Sequence, residues 1–199
     1  MKKGLLLATA LLLSVFAFSQ AKVEFGLKGG LNLAKVNTED AVANYENATG
    51  YHAGAYSLIK VANVGIQPEL LYSTRGTEVD FNSVSQDFKQ EYVYLDIPVM
   101  LKLYAVAGLN LQVGPQFGML LSVDGKTQDA NGNTVAISKD SYKNSDISAA
   151  FGAGWDAPFG LNFSARYILG LTDVNSGDEE AKNRTFQVSL GFRLFKVGK

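Results

Sequence analysis

Apolar and polar residues alternate with period two along most of this chain, and a helical period fits none of the alternating stretches. From Val23 the odd positions carry Val23, Phe25, Leu27, Leu31 and Leu33, while Glu24, Gly26, Lys28, Gly30 and Asn32 share the other phase. From Val64 the even positions are apolar, with Gln67, Glu69, Ser73 and Arg75 opposite. Val93, Leu95, Ile97, Val99, Leu101 and Leu103 repeat the pattern against Tyr94, Asp96 and Lys102, and residues 109–121 do so against Asn110, Gln112 and Gln116. Three more segments follow, over residues 147–155, 161–171 and 186–194. Residues 51–61 form an eighth, less regular one: His52 and Lys60 place its even positions with the polar phase, whereas Tyr56 and Leu58 blur it.

The links between these strands alternate in length. Those at 62–63, 104–108 and 157–160 are short, and those at 38–49, 80–90, 123–145 and 174–184 are long and polar. Tight turns at one end and larger loops at the other are the mark of an up-and-down transmembrane barrel, with the turns periplasmic and the loops extracellular. The expected fold is therefore all-β, an eight-stranded antiparallel barrel with both termini at the turn end. In the longest loop, Asn131-Gly132 suggests a hairpin standing above the membrane.

A secreted lipocalin-like barrel, apolar inside and binding a small ligand, shares this periodicity. Volume separates the two. An eight-stranded barrel encloses room for few side chains or one small ligand, and the Leu, Phe, Val and Ile of these faces exceed it. The opposite faces are rich in Gly, Ala and Ser with scattered charges, which suits a narrow lumen. The apolar faces are also free of charge, as lipid demands, since Lys or Arg facing mid-bilayer costs about 2–4 kcal/mol. Tyr51, Tyr72 and Phe186 fall towards the outer ends, and Phe25, Trp155, Phe159, Phe192 and Phe195 towards the periplasmic ends, as two aromatic girdles would.

The N-terminus adds a destination. Lys2 and Lys3 precede an apolar run over residues 5–18, and Ala17 and Ser19 are placed for cleavage before Gln20. The run is shorter than the ~20 residues of a spanning helix. Residues 1–19 read as a signal peptide and 20–199 as the barrel domain, in the outer membrane of a Gram-negative bacterium. Removing Lys2 and Lys3 takes the net charge from −1 to −3, which gives no reason to expect nucleic acid. The absence of Cys excludes disulfides and thiolate chemistry.

The segment Tyr94-Leu95-Asp96-Ile97-Pro98-Val99-Met100-Leu101-Lys102 resembles the central motif of PorT-like outer-membrane β-barrel proteins. The stretches at 25–32, 68–73 and 113–115 are similar to that family too, and the likeness runs from about Lys22 to Phe195. It implies an OmpA-like eight-stranded barrel and carries no catalytic motif.

Six charged residues, Lys28, Glu69, Asp96, Lys102, Arg166 and Arg193, fall on inward positions. Counting along the strands brings Lys28, Glu69, Asp96 and Arg166 to similar heights. Isolated charges in a narrow lumen are costly, so pairing is expected: a salt-bridge network that plugs the barrel, helped by Tyr92, Tyr94, Met100 and Leu120. The alternative is an ion-selective constriction in a narrow pore for ions or small solutes. Neither a cofactor nor a metal site is expected. His52 is the only histidine, with no Gly-x-Ser-x-Gly elbow to pair with, so no enzyme activity is expected either. Asp173, Asp178, Glu179 and Glu180 lack calcium-loop spacing and read as a solvated loop. The expected partners are outer-membrane lipid and, through the loops, an envelope protein or surface polysaccharide, for a barrel acting as a monomer.

Overall fold

The computed structural model describes residues 21–36, 44–46, 48–80, 88–124, 126–128, 134–136, 145–171 and 183–198. Eight long strands run through it: β1 (Lys22–Val36), β2 (Ala48–Val61), β3 (Val64–Asp80), β4 (Phe88–Tyr104), β5 (Leu109–Asp124), β6 (Ser145–Asp156), β7 (Leu161–Gly170) and β8 (Asn183–Val197). Each pairs antiparallel with its sequence neighbours, and β1 pairs with β8 from Val23↔Val197 to Val36↔Asn183. The sheet is thus closed, and no long strand is left with an open edge. Both ends of the described chain lie at the end of the short turns.

The turns explain the tight connections. Ala62, with φ of 51°, lies in the left-handed region in the two-residue link between β2 and β3. A short 3₁₀ turn, Val106–Gly108, joins β4 to β5, and Gly160 (φ 105°) precedes β7. At the loop end, a strand at Asn44–Glu46 extends the β3 edge, and Lys126–Gln128 pairs with Thr134–Ala136 as a small hairpin. That is where the Asn131-Gly132 hairpin is expected, although the turn itself lies outside the described residues.

Burial alternates with the sequence pattern, with the apolar side outward. Leu27, Leu31, Ile66, Leu70, Leu111, Val113, Phe163 and Leu190 are among the exposed large apolar side chains. Glu24, Lys28, Gln67, Glu69, Gln112, Gln116, Arg166 and Gln187 are buried on the inner face. A lipocalin would show the reverse, so that alternative falls. The turn end carries an aromatic belt: Trp155 stacks on Phe163 with centroids 6.1 Å apart and meets Phe159 edge-on at 6.4 Å. Trp155 Nε1 donates to the carbonyl of Ala107 at 2.9 Å.

Three strands depart from simple alternation. In β2 the even positions do point inward, and Tyr56 and Leu58 are buried there with Tyr104. Tyr56 fits because Gly26 faces it from β1, where a Cβ would collide with its ring. Its hydroxyl accepts a hydrogen bond from Asn162 Nδ2 at 2.8 Å. In β8 the pairing with β1 slips at Leu194, between Phe25↔Phe195 and Gly26↔Arg193, so Phe192 and Phe195 both face outward. In β4 the pairing with β5 slips between Val93 and Tyr94, and Val93, expected to face lipid, is buried. The ladder between β3 and β4 also runs on to Val79↔Phe88, further than the apolar alternation indicates. Backbone pairing outlasts the hydrophobic signal there because above the bilayer neither face needs to be apolar.

Candidate functional site in the barrel lumen

The lumen is filled by charged and amide side chains arranged in layers. In the middle layer Glu69, from β3, receives three partners. Arg166, from β7, donates to both carboxylate oxygens, at 2.6 and 2.9 Å. Lys28, from β1, donates at 3.1 and 3.3 Å, and Gln67 Nε2 at 2.7 Å. The side chains of Lys28, Glu69 and Arg166 are 1%, 0% and 1% exposed. Two-point Arg–carboxylate contact fixes geometry as well as charge. The third nitrogen of Arg166, Nε, donates to Gln112 at 2.7 Å, Gln112 to Asn110 at 2.8 Å, and Asn110 to the carbonyl of Gly108 at 3.0 Å. The network thereby ties β7 to β5 and its preceding turn.

Asp96, expected at the height of Glu69, is not part of this cluster. It pairs with Leu71 across the β3–β4 ladder, two residues beyond Glu69, and the buried Leu71 side chain fills the intervening inward position. There Arg75 Nη2 donates to both Asp96 oxygens at 2.9 Å, and Nη1 donates to Asp146 of β6 at 3.2 Å. The guanidinium carbon lies 4.5 Å from the Tyr94 ring centroid, and Ser148 Oγ donates to Asp146 at 3.2 Å.

Lys102 and Arg193 belong to a third layer at the turn end. Lys102 donates to both oxygens of Asp156, at 2.8 and 3.0 Å, and to Gln67 Oε1 at 3.1 Å. Tyr104 hydroxyl donates to the same carboxylate at 2.6 Å. Arg193 Nη1 donates to Glu24 at 2.8 Å, and Lys22 shares that carboxylate. The six expected charges are therefore spread over three layers, each completed by a residue outside that set: Arg75 and Asp146 outermost, Gln67 in the middle, Asp156 and Glu24 at the turn end. Asp146 and Asp156 share the phase of Ser148 and Ala150. Both escape the pattern because they sit one residue beyond the two ends of the alternating run at 147–155. Of the expected lumen fillers, Tyr94, Met100 and Leu120 are buried, while Tyr92 is half-buried.

His52 sits in a relay of neutral groups. Asn32 Nδ2 donates to Ser73 Oγ at 2.8 Å and to the Thr74 carbonyl at 3.2 Å, which turns its Oδ1 towards His52 Nδ1 at 3.0 Å. Gln187 Nε2 donates to the same Oδ1 at 3.1 Å. The His52 proton is thus assigned to Nδ1, leaving Nε2 to accept from the Ser189 hydroxyl at 2.9 Å. A hydroxyl, an imidazole and an amide in this order also form acyl-transfer sites. Here Ser189, His52 and Asn32 are all buried, and the imidazole lies so close to Gly30 that even a Cβ there would collide with it. In this enclosed setting the relay fastens β8 to β2, β1 and β3. The acidic loop residues Asp173, Asp178, Glu179 and Glu180 lie outside the described residues.

No curated protein matches the chain by sequence. Among solved structures, Neisserial surface protein A is 10% identical, over 85% of this chain and 97% of that one, with a TM-score of 0.50. Ail, the attachment invasion locus protein of Yersinia pestis, is 14% identical over 88% and 99%, with a TM-score of 0.47. OprG from Pseudomonas aeruginosa is 9% identical over 90% and 96%, with a TM-score of 0.46. The profile of the outer membrane protein β-barrel domain matches residues 18–176. With a closed barrel that is apolar outside and charged inside, this chain belongs to the outer membrane protein β-barrel domain family and resides in the outer membrane of a Gram-negative bacterium.

Proposed function

We propose that this protein is a closed, non-conducting barrel whose lumen network is a permanent plug and whose extracellular loops carry its interactions. The observation behind this reading is the middle layer, where Lys28, Glu69 and Arg166 meet across the lumen with side chains at most 1% exposed. An eight-stranded barrel has little space to spare, and Leu71, Met100 and Ile168 take up more of it. Unpairing these charges to admit an ion would cost several kcal/mol. The partner at the loops is an envelope protein or surface polysaccharide, met by a monomeric barrel. Membership in the PorT-like branch rests on the block from Tyr94 to Lys102. Residues 1–19 serve as a cleaved signal peptide in this reading, and they lie outside the described residues. No residue set of the lumen is assigned to catalysis.

Single-channel recording of the folded protein in a planar bilayer tests the plug. A heat-dependent gel shift establishes beforehand that the barrel is folded. The expected record has no discrete openings. Reproducible small openings whose ion preference changes in Lys28→Met or Arg166→Met would overturn the closed reading and make the middle layer a pore constriction.

A further inference from the structure

Below the plug, at the turn end, lies a cavity of about 250 Å³. Its wall includes Lys22, Lys60, Arg193 and Lys196 but only two carboxylates, Glu24 and Asp156. Both carboxylates are already engaged. Glu24 serves Lys22 and Arg193 together, and Asp156 is held by Lys102 and Tyr104. Lys60 makes no salt bridge among the described residues. Its ammonium rests on the Tyr104 ring, 3.4 Å from the centroid, at the cavity wall. Lys196, exposed on the last strand opposite Glu24, makes no ion pair among the described residues. Counting the lining groups once, the cup holds Lys22, Lys60, Arg193 and Lys196 against Glu24 and Asp156, an excess of cations, and Asp156 is already taken by Lys102.

We propose that this periplasm-facing cup is an anion site for a phosphate group, with Lys60 as its principal ligand and Lys196 as a second. Three considerations fit that class. The two unpaired ammoniums match the charge of a phosphate monoester, about −1.5 to −2 at neutral pH. The volume, equal to about eight waters at ~30 Å³ each, holds one such group but falls below the range of ~300–1,000 Å³ usual for larger organic ligands. The lysines are compact point charges on flexible stems, able to close on a tetrahedral anion. Gly108 and Gly160 lie on the cup wall, where their amides can report its occupancy. The site is blind: the network of Gln67, Glu69 and Arg166 closes its inner end. It would therefore retain an anion rather than pass it. A soluble periplasmic phosphate and the phosphate of a lipid in the inner leaflet offer the same chemistry.

Inorganic phosphate is the probe, added to the folded protein in detergent micelles at constant ionic strength while the amide resonances of Gly108 and Gly160 are followed. The expected result is a saturable shift, with half-saturation about tenfold higher in Lys60→Gln, as for loss of one charge-assisted hydrogen bond. Lys196→Gln is expected to weaken it about threefold, being exposed to solvent screening. Arg184→Gln, an exposed cation at the loop end, is expected to change nothing. A heat-dependent gel shift shows whether each variant is folded. A response linear in phosphate, or one equal in wild type and Lys60→Gln, overturns the site. Repeating the titration in phosphatidylcholine nanodiscs with added phosphatidic acid separates the sources. A phosphate response abolished by that lipid makes the headgroup the resident, and one that survives makes it a soluble phosphate.

Discussion

The middle and outer layers of the lumen are charge inversions of each other. In the middle, one carboxylate, Glu69, is clasped by two cations, Lys28 and Arg166. Further out, one cation, Arg75, is clasped by two carboxylates, Asp96 and Asp146. Each layer has a keystone of one sign and two flanking groups of the other. Removing a keystone leaves two like charges facing each other in a dry lumen. Removing a flanking group leaves an intact pair. The stability carried by a buried charge thus depends on its place in the triad more than on its number of contacts. The two layers also complement each other, since the middle has a surplus cation and the outer a surplus carboxylate.

The largest effect expected from this comparison is at Glu69. Glu69→Gln preserves shape but strands Lys28 and Arg166, and breaking a buried ion network costs about 3–5 kcal/mol. Urea titration of the barrel folded in lipid vesicles measures it. A loss below about 1 kcal/mol would mean that water enters the middle layer and screens the cations, contrary to a dry plug. Arg75→Met is the mirror experiment. Its loss is expected to be smaller, about 2–3 kcal/mol, because Asp146 keeps a hydrogen bond from Ser148 and the arginine side chain is 9% exposed. If Arg75→Met costs as much as Glu69→Gln or more, depth in the lumen does not set the size of the effect.

How much of this was legible before the structure follows from what a strand pattern encodes. Period-two alternation encodes the face, so the outward Leu, Val and Phe and the inward Lys28, Glu69 and Arg166 are all readable. Chain closure was readable as well, from the strict alternation of short and long links. Partner choice across the lumen is a different quantity. It depends on strand tilt, about 35–45° in such barrels, and on the stagger between strands. Counting residues along each strand ignores both, which is why Asp96 was expected beside Glu69 yet meets Arg75 instead. Strand ends are the other blind region. Asp146 and Asp156 complete two layers, but each lies where the apolar alternation stops, so periodicity has nothing to attach them to. The relay through His52 escaped for a third reason. Its members Asn32, Ser189 and Gln187 come from β1 and β8, which meet only because the sheet closes, while Ser73 comes from β3 on the other side of β2.

The smallest expected effect is also the most discriminating. Lys28→Met removes a flanking cation and leaves Glu69 held at both oxygens by Arg166 and at one by Gln67. Its cost is expected to be within about 1 kcal/mol, because the lost attraction to Glu69 is offset by relief of repulsion from Arg166 and of the desolvation of the ammonium. In the Glu69→Gln background the same substitution should be stabilising, by about 1–2 kcal/mol, because it then removes one of two uncompensated like charges. Additive behaviour in that double-mutant cycle would show that Lys28 does not sense the charge of Glu69, and the keystone account of the middle layer would fail. A reversal of sign between the two backgrounds is what a shared, dry electrostatic triad requires, because only there does the worth of Lys28 depend on whether the carboxylate between it and Arg166 is present.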